Sequence, residues 1–290
     1  MRYELVNGVH TNMDIWQQEK KLLQAEKLHL LSIGSAPNFA GTMKQEGIKH
    51  SVNLYDYITK RTIYNPDDYL FFNRAPVPDG TNILMNADGY LALEYDGAPI
   101  GQMKLYPNTN RAVKEIDYFN PDGSNDMIEE YATDGRQYTQ LLYDEGKPQE
   151  FDFLNLQGQP VIRYYYYEDV LNYITIEDPE TQDVLEHYDN LNEFICQQVA
   201  KLLTVQDQVT VCYMGMEMMA LRYAKSHNIL RLSEDPIDEQ GEVRGNLLGI
   251  LNNDIQYIQE VQMTQAAYNA LALRNIPLDK AKVVAELDND

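Results

Sequence analysis

The strongest candidate for ligand chemistry is an arginine at the start of a predicted helix. Arg244 is followed by Gly245 and Asn246, and the exposed backbone N–H groups of such a helix start can hold an anion. A solvated helix entry is the more common explanation of the same three residues. A second glycine turn, residues 213–216, joins a predicted strand to a predicted helix. We interpret it as an ordinary tight turn rather than a phosphate loop.

Four consecutive tyrosines form the second candidate. Side chains alternate along a strand, so Tyr164 and Tyr166 would share one face and Tyr165 and Tyr167 the other. Such large rings, each with a hydroxyl, suit sugar rings and peptide partners. Packing in a core or an interface is the more common outcome for such a run. We therefore predict a partner contact here, with glycan stacking as the alternative.

Motifs for catalysis, metal binding and nucleotide binding are absent from the sequence. The five histidines lack metal-ligand spacing, and Cys196 and Cys212 have no paired partner. The sequence contains neither a glycine-rich phosphate loop after a strand nor a Gly-x-Ser-x-Gly elbow. Glu234 and Asp235 follow a predicted strand, where ligands of open parallel sheets bind, although a solvated loop is more usual. We assign no catalytic, cofactor-binding or metal-binding residue and expect no cofactor.

The composition narrows the class of partner. The 290 residues include 45 acidic and 23 basic side chains, a net charge of -22. Such a surface repels nucleic acid and anionic lipid. No stretch approaches the ~20 apolar residues that span a bilayer, residues 1–8 do not resemble a signal peptide, and two cysteines suit a reducing compartment. We therefore predict a cytoplasmic protein without nucleic-acid binding or direct membrane insertion.

Alternating strands and helices at both ends of the chain predict the scaffold for these candidates. Over residues 1–80 the pattern predicts strands at 2–6 and 28–33 and helices at 12–26 and 37–47. From residue 185 on it predicts a helix after 190 and a second run of βα units. The strands of that run are at 208–213, 229–232, 256–261 and 282–287, and the helices at 216–225, 245–252 and 264–274.

The middle of the chain has a different rhythm. Thirteen of the 22 tyrosines lie between residues 85 and 190, and glycine turns at 123, 135, 146 and 158 are spaced by 12, 11 and 12 residues. Turns at this spacing with β-rich runs between them predict an antiparallel meander. The predicted fold class is therefore α/β: a Rossmann-like three-layer domain from residues 1–80 and 185–290, with an inserted β-meander domain at 81–184.

This order of segments resembles a known group of bacterial proteins. They are the glycosyltransferase-like proteins of the accessory Sec pathway and their teichoic-acid glycosyltransferase relatives, in which a meander is inserted into the first half of a GT-B fold. The best match is the glycosyltransferase-like first subunit of the accessory Sec Asp complex, while residues 71–78 also resemble the GtfB-type glycosylation chaperone. The resemblance is carried by residues 30–39, 43–47, 53–58, 116–123, 191–195 and 209–211.

The resemblance implies a non-enzymatic component of accessory Sec secretion that delivers or chaperones serine-rich-repeat glycoprotein adhesins. Its implied partners are the other Asp subunits, the accessory Sec motor and the glycoprotein cargo. The sequence ends at Asp290, about where the donor-binding half of such a fold would begin, so we expect no transferase activity. The alternatives are a GtfB-like acceptor-binding subunit of an O-GlcNAc-type glycosyltransferase, a GT-B glycosyltransferase, or a meander that only joins copies of the chain.

Overall fold

The computed structural model describes residues 1–26, 28–63, 65–87, 89–107 and 109–284, and its chain forms two compact units. The first, the α/β unit, contains Met1–Ser35, Ile48–Leu54 and the chain from Asn192 on. The second, the meander unit, contains Ala36–Gly47 and Tyr55–Leu191.

Seventeen strands and seven α-helices occur in the described residues. The first half of the chain contains β1 (Arg2–Val6), α1 (Asp14–Glu26), β2 (His29–Ser32), α2 (Phe39–Glu46), β3 (Ser51–Asn53), α3 (Leu54–Ile58), β4 (Asn82–Met85), β5 (Leu91–Tyr95), β6 (Ala98–Leu105), β7 (Val113–Phe119), β8 (Asn125–Tyr131) and β9 (Gln137–Asp144). The second half contains β10 (Lys147–Leu154), β11 (Pro160–Tyr167), β12 (Val170–Glu177), β13 (Val184–Tyr188), α4 (Leu191–Leu202), β14 (Gln208–Val211), α5 (Met216–Ala220), β15 (His227–Arg231), α6 (Gly245–Leu251), β16 (Glu260–Met263), α7 (Gln265–Ala272) and β17 (Ala281–Val283).

A parallel sheet forms the centre of the α/β unit. Within the described residues it has seven strands in the order β3-β2-β1-β14-β15-β16-β17. Its central strands are short apolar runs such as Leu30–Leu31 and Val209, which have almost no exposed surface, as expected where helices cover a sheet. The order reverses beside β1, which pairs with β2 on one side and β14 on the other. In doubly wound sheets this switch point opens a crevice beyond the carboxyl ends of the strands.

The meander unit contains an antiparallel sheet whose ten described strands, β4 to β13, neighbour one another in chain order. The predicted glycine turns connect them: Gly123, Gly135, Gly146 and Gly158 all have positive φ, from 74° to 86°. At Gly135 a side chain is also excluded by space, because a Cβ atom would lie 2.6 Å from the Asp68 carbonyl oxygen. The predicted fold class, Rossmann-like α/β with an antiparallel meander, is confirmed.

The antiparallel sheet changes its buried face along its width. One cross-strand row begins with the buried side chains of Met103 and Ile116 and continues into polar and charged ones. Its later members, in order, are Glu129, Gln140, Asp152 and Arg163. The neighbouring row, on the opposite face, is apolar at the far end, where Phe151, Tyr164 and Ile174 are paired. The two ends of the sheet therefore carry their apolar side chains on opposite faces.

The compact units divide the chain differently from the predicted ranges of 1–80 and 185–290 against 81–184. Residues 36–47 and 55–80 belong with the meander, because their side chains pack on its turns. Arg61 Nη1 donates hydrogen bonds to the carbonyl oxygens of Gln137, Leu154 and Asn155 at 2.9, 3.0 and 3.2 Å. A Cβ atom on Gly41 would lie only 2.9 Å from Thr133.

Three predicted elements differ from the structure by more than two residues at one end. The strand predicted at 256–261 begins later, as β16, and the helix predicted at 216–225 ends earlier, as α5. The strand predicted at 282–287 is present as β17, although residues 285–287 lie outside the described part of the chain. None of the described helices is both long enough and apolar enough to cross a bilayer.

Candidate functional site

A crevice of about 620 Å³ opens beyond the carboxyl ends of β1 and β14, at the switch point of the parallel sheet. Its size falls in the range of small-molecule sites. Its walls come from the segments after three strands, from α1 and from the start of α6. The lining residues are Val6, Asn7, Gly8, His10, Met13, Trp16, Glu19, Tyr213, Met214, Gly215, Glu217, Glu234, Arg244, Gly245 and Asn246.

Glu19 is the most unusual of these side chains. It projects from α1 into the crevice, yet only 6% of its surface is exposed. Within the described residues its carboxylate has no hydrogen-bond or ion-pair partner. Burial, reinforced by the charges of Glu4 and Glu217, raises the pKa of Glu19 to about 7. The group therefore titrates near neutrality.

Glu4, which raises the pKa of Glu19, is itself buried and well bonded. Its Oε1 accepts a hydrogen bond from Cys212 Sγ at 3.2 Å, and its Oε2 lies 3.4 Å from Arg231 Nη1. Burial, with the nearby Glu4 charge, raises the pKa of the Cys212 thiol well above its usual value. Cys212 is therefore a poor nucleophile, since the reactive form of cysteine is the thiolate.

Two more carboxylates join Glu19 around Tyr213. Glu217 Oε1 accepts a hydrogen bond from the Asn7 backbone N–H at 3.1 Å, which fixes it at the end of β1. The pKa of the Tyr213 hydroxyl is raised by burial and by the charges of Glu19, Cys212, Glu217 and Glu234. Three glutamates from separate elements therefore converge on one tyrosine, and the crevice has an acidic wall.

The predicted anion-binding residues do line this crevice. The structure brings Arg244, Gly245 and Asn246 together with the 213–216 turn, since Asn246 Nδ2 donates a hydrogen bond to the Met214 carbonyl at 2.9 Å. Arg244, however, lies 3.2 Å from Glu234 Oε2 and donates from Nε to the Asp235 carbonyl oxygen. Its positive charge is paired, and anion binding here stays a prediction.

Sequence reasoning missed Glu19, although the sequence carries a signal for it. On α1, Trp16, Glu19, Leu22 and Leu23 follow a helical spacing, and all four are buried. A glutamate on the apolar stripe of a helix is expected only where it meets a partner or a cavity.

Among the residues that the structure describes, no group of three or more His, Cys, Asp or Glu side chains is arranged to hold a metal ion.

The four tyrosines of β11 do not form one surface. Tyr164 is buried, with its hydroxyl 2.6 Å from that of Tyr55 and its ring packed edge-on against Phe153. Tyr167, in contrast, is 66% exposed. Tyr165 donates a hydrogen bond to Glu177 at 3.3 Å. Packing thus accounts for Tyr164, and a partner or glycan contact at Tyr165, Tyr166 and Tyr167 stays a prediction.

Arg163 forms the centre of a second acidic group, on the meander. Its Nη1 donates to Glu150 Oε1 at 2.6 Å, and its Nε lies 2.9 Å from Glu177 Oε2 and 3.9 Å from Asp152 Oδ1. Burial, together with the Glu150 charge, raises the pKa of Asp152 to about 7. Thr175 donates a further hydrogen bond to Glu177 at 2.7 Å. We name Glu150, Asp152, Arg163 and Glu177 the Arg163 cluster.

The central part of the chain is similar to a known family. Residues 93–195 match the family model of the GtfB middle domain. This segment is therefore similar to the GtfB middle domain. It includes every strand from β6 to β13, so the family match coincides with the meander that the turn spacing predicted. No protein in the curated set matches the sequence significantly.

Solved structures resemble the chain over almost its whole length. The accessory secretory protein 1, 2 and 3 structure from Streptococcus pneumoniae matches with a TM-score of 0.75 and 12% identity, covering 99% of this chain and 62% of that one. The Glycosylation Associate Protein complex from Streptococcus agalactiae gives 0.73 and 15%, covering 99% and 60%. The pneumococcal O-GlcNAc transferase GtfA, bound to UDP and GlcNAc, gives 0.77 and 11%, covering 98% and 59%.

These similarities establish the fold. The chain spans about three-fifths of the length of the solved structures it matches. The resemblance recognised from the sequence, to glycosyltransferase-like proteins with an inserted meander, is confirmed at this level.

Proposed function

We propose that the chain is a non-catalytic component of a cytoplasmic accessory secretion and glycosylation system, and that its work is to bind other proteins. The observation that carries this proposal is the match of residues 93–195 to the GtfB middle domain. In this chain the matching antiparallel sheet is part of a fold that resembles accessory secretory proteins. In this role its partners are companion Asp subunits, the accessory Sec motor and serine-rich-repeat glycoprotein cargo.

The chemistry of the crevice supports a role other than sugar transfer. A nucleotide diphosphate brings negative charge, which would meet Glu19, Glu217 and Glu234. The crevice cation Arg244 is already paired with Glu234. Repulsion inside a partly buried site is screened weakly by solvent, so an acidic wall opposes a donor nucleotide.

The outer edge of the meander offers a surface for partners. In the described sheet β13 pairs only with β12, which leaves its other backbone edge available for strand addition. Val184 and Leu185 on this strand are mostly exposed. Exposed apolar side chains beside an open strand edge are typical of a protein-binding surface.

Capture experiments test this proposal. The full chain should retain companion accessory secretion subunits or serine-rich-repeat substrate from purified mixtures. Leu185→Lys, which places a charge on the edge strand, should reduce capture at least tenfold. Leu273→Lys is the matched control, because Leu273 is 84% exposed and lies on the α/β unit. Failure of the unmodified chain to retain either kind of partner would reject the proposal.

A glycosyltransferase-related role is the second candidate, and one observation favours it. The fold matches a transferase bound to UDP and GlcNAc, and the crevice lies where open α/β sheets bind ligands. Calorimetry with a UDP-sugar separates the two roles. Binding that is lost in Arg244→Ala would support the transferase-related role, whereas our proposal predicts no measurable heat.

A further inference from the structure

We propose that the crevice of the α/β unit is a binding site for a ligand that carries a primary ammonium group, with Glu19 as the acceptor of its charge. The site is separate from the meander edge that the proposed function uses. Its test is therefore independent of protein capture.

The burial and bonding of Glu19 point to a ligand. A buried carboxylate without a partner is costly, and proteins retain one mainly where a ligand or a reaction uses it. Glu19 is more than nine-tenths buried, it lines the crevice, and within the described residues its carboxylate forms no hydrogen bond or ion pair. The charge of Arg231 has only the smallest effect on its pKa. An incoming N–H donor would supply the missing partner.

The charges around Glu19 favour a cationic ligand. Among the described residues that set or line the site, four carboxylates face two guanidinium groups. Glu4 is paired with Arg231, and Glu234 with Arg244. Glu19 and Glu217 form no ion pair, so these six groups together carry a net charge of two negative units when Glu19 is ionised. A neutral hydroxyl would satisfy one acceptor but leave this charge unbalanced, whereas an ammonium group would offset part of it.

The size and lining of the crevice indicate the kind of molecule that carries the ammonium group. At about 620 Å³ the crevice is far larger than a single hydrated ion requires, so the ammonium group belongs to a molecule with a body of its own. Met13, Tyr213 and Met214 provide apolar and aromatic surface for that body. An amino sugar and a lysine side chain both meet this description, and their common feature is the charged amine.

Calorimetry on the full chain tests the proposal with paired probes. D-glucosamine is compared with N-acetyl-D-glucosamine, and Nα-acetyl-lysine amide with its Nε-acetylated form. Acetylation removes the positive charge from each probe while the rest of the molecule is retained. We expect at least one amine to bind and its acetylated counterpart to bind at least tenfold more weakly. Binding of only one amine identifies the source as an amino sugar or a lysine.

Variants locate the binding to the crevice. Glu19→Gln keeps the shape of the side chain and should weaken amine binding at least tenfold. Glu217→Gln, which retains an acceptor for the Asn7 N–H, should weaken it by a smaller factor. Glu239→Gln removes one exposed carboxylate outside the crevice and should leave binding unchanged.

The pH dependence provides a further check. The charged and titratable groups that face Glu19 are Glu4 on β1, Glu217 on α5, Arg231 on β15, and Cys212 and Tyr213 after β14. Because the pKa of Glu19 is about 7, its ionised fraction rises about tenfold from pH 6 to pH 8. The affinity for Nα-acetyl-lysine amide, whose amine stays protonated over this range, should rise with it. The proposal is overturned if the acetylated probes bind as tightly as the amines, if neither amine binds, or if Glu19→Gln retains full affinity.

Discussion

The crevice of the α/β unit and the Arg163 cluster of the meander unit each contain a buried carboxylate, and the two carboxylates differ in whether a cation is paired with them. Burial raises the pKa of both Glu19 and Asp152 to about 7. Asp152 lies 3.9 Å from Arg163, which also holds Glu150 and Glu177, whereas Glu19 has no such partner in the described residues. A buried carboxylate that the chain itself neutralises indicates a structural role, and one that the chain leaves unsatisfied indicates a ligand.

Replacement of Arg163 by methionine should give the largest effect on stability. The substitution leaves Glu150, Asp152 and Glu177 close together with no cation among them. Breaking a buried ion pair on one side typically costs 3–5 kcal/mol, and we expect a loss of about 3 kcal/mol in the free energy of unfolding because Arg163 is partly exposed. Urea unfolding at pH 8 measures it. Arg111→Met, at an exposed arginine, is the control and should change stability by less than about 0.5 kcal/mol. Equal effects of Arg163→Met and Arg111→Met would contradict a structural role of the Arg163 cluster.

Glu19→Gln should change stability in the opposite direction. The folded pKa of Glu19, about 7, lies above its ordinary value of 4.5, so the folded state binds the proton more tightly than the unfolded state does. Stability is therefore lost as the pH rises from about 4.5 to 7. An amide removes this loss, and at pH 8 the variant should be more stable by up to about 3 kcal/mol.

The same variant should show little gain at pH 5, where Glu19 is protonated in the folded state. Thermal unfolding at both pH values measures the difference, with Glu239→Gln as the control. A Glu19→Gln chain that is less stable than the unmodified chain at pH 8 would mean that the carboxylate has a stabilising partner.

Much of the architecture follows from the sequence because it rests on local signals. Glycines at 123, 135, 146 and 158 each meet a positive φ that their turns require, so their spacing predicts the meander directly. Pro37 and Gly47 bracket α2, and Gly47 adopts the left-handed conformation that ends a helix. Alternation of strands and helices likewise predicts the parallel sheet.

The remaining features depend on contacts between distant residues. The polar contacts of Arg61 with three carbonyl groups, which join residues 55–80 to the meander, cannot be deduced from its neighbours in sequence. The change of buried face across the antiparallel sheet is hidden from the sequence in the same way. Within each strand the side chains alternate between the two faces as usual, so no single strand shows which face is buried. The predicted anion site at Arg244 relied on the helix start alone and did not include Glu234, ten residues earlier, which pairs with the arginine.

A smaller predicted effect concerns the charges that act on the pKa values of Asp152 and Glu19. After burial, the largest cause of the raised Asp152 pKa is the charge of Glu150. In Glu150→Gln the pKa of Asp152 should therefore fall, whereas the pKa of Glu19, whose nearby charges are Glu4, Glu217 and Arg231, should stay unchanged. Carboxyl-detected NMR titration measures both groups in one sample. A shift of Glu19, or an unmoved Asp152, would contradict this assignment of causes.

The most direct test of the account is the titration of Glu19 itself, by carboxyl NMR on the full chain with and without the amine probes. We predict a pKa of about 7 in the free protein and a lower one when D-glucosamine or Nα-acetyl-lysine amide is bound, because a cation favours the ionised form. A value near 4.5 in the free protein, or no change at saturating amine, would contradict it.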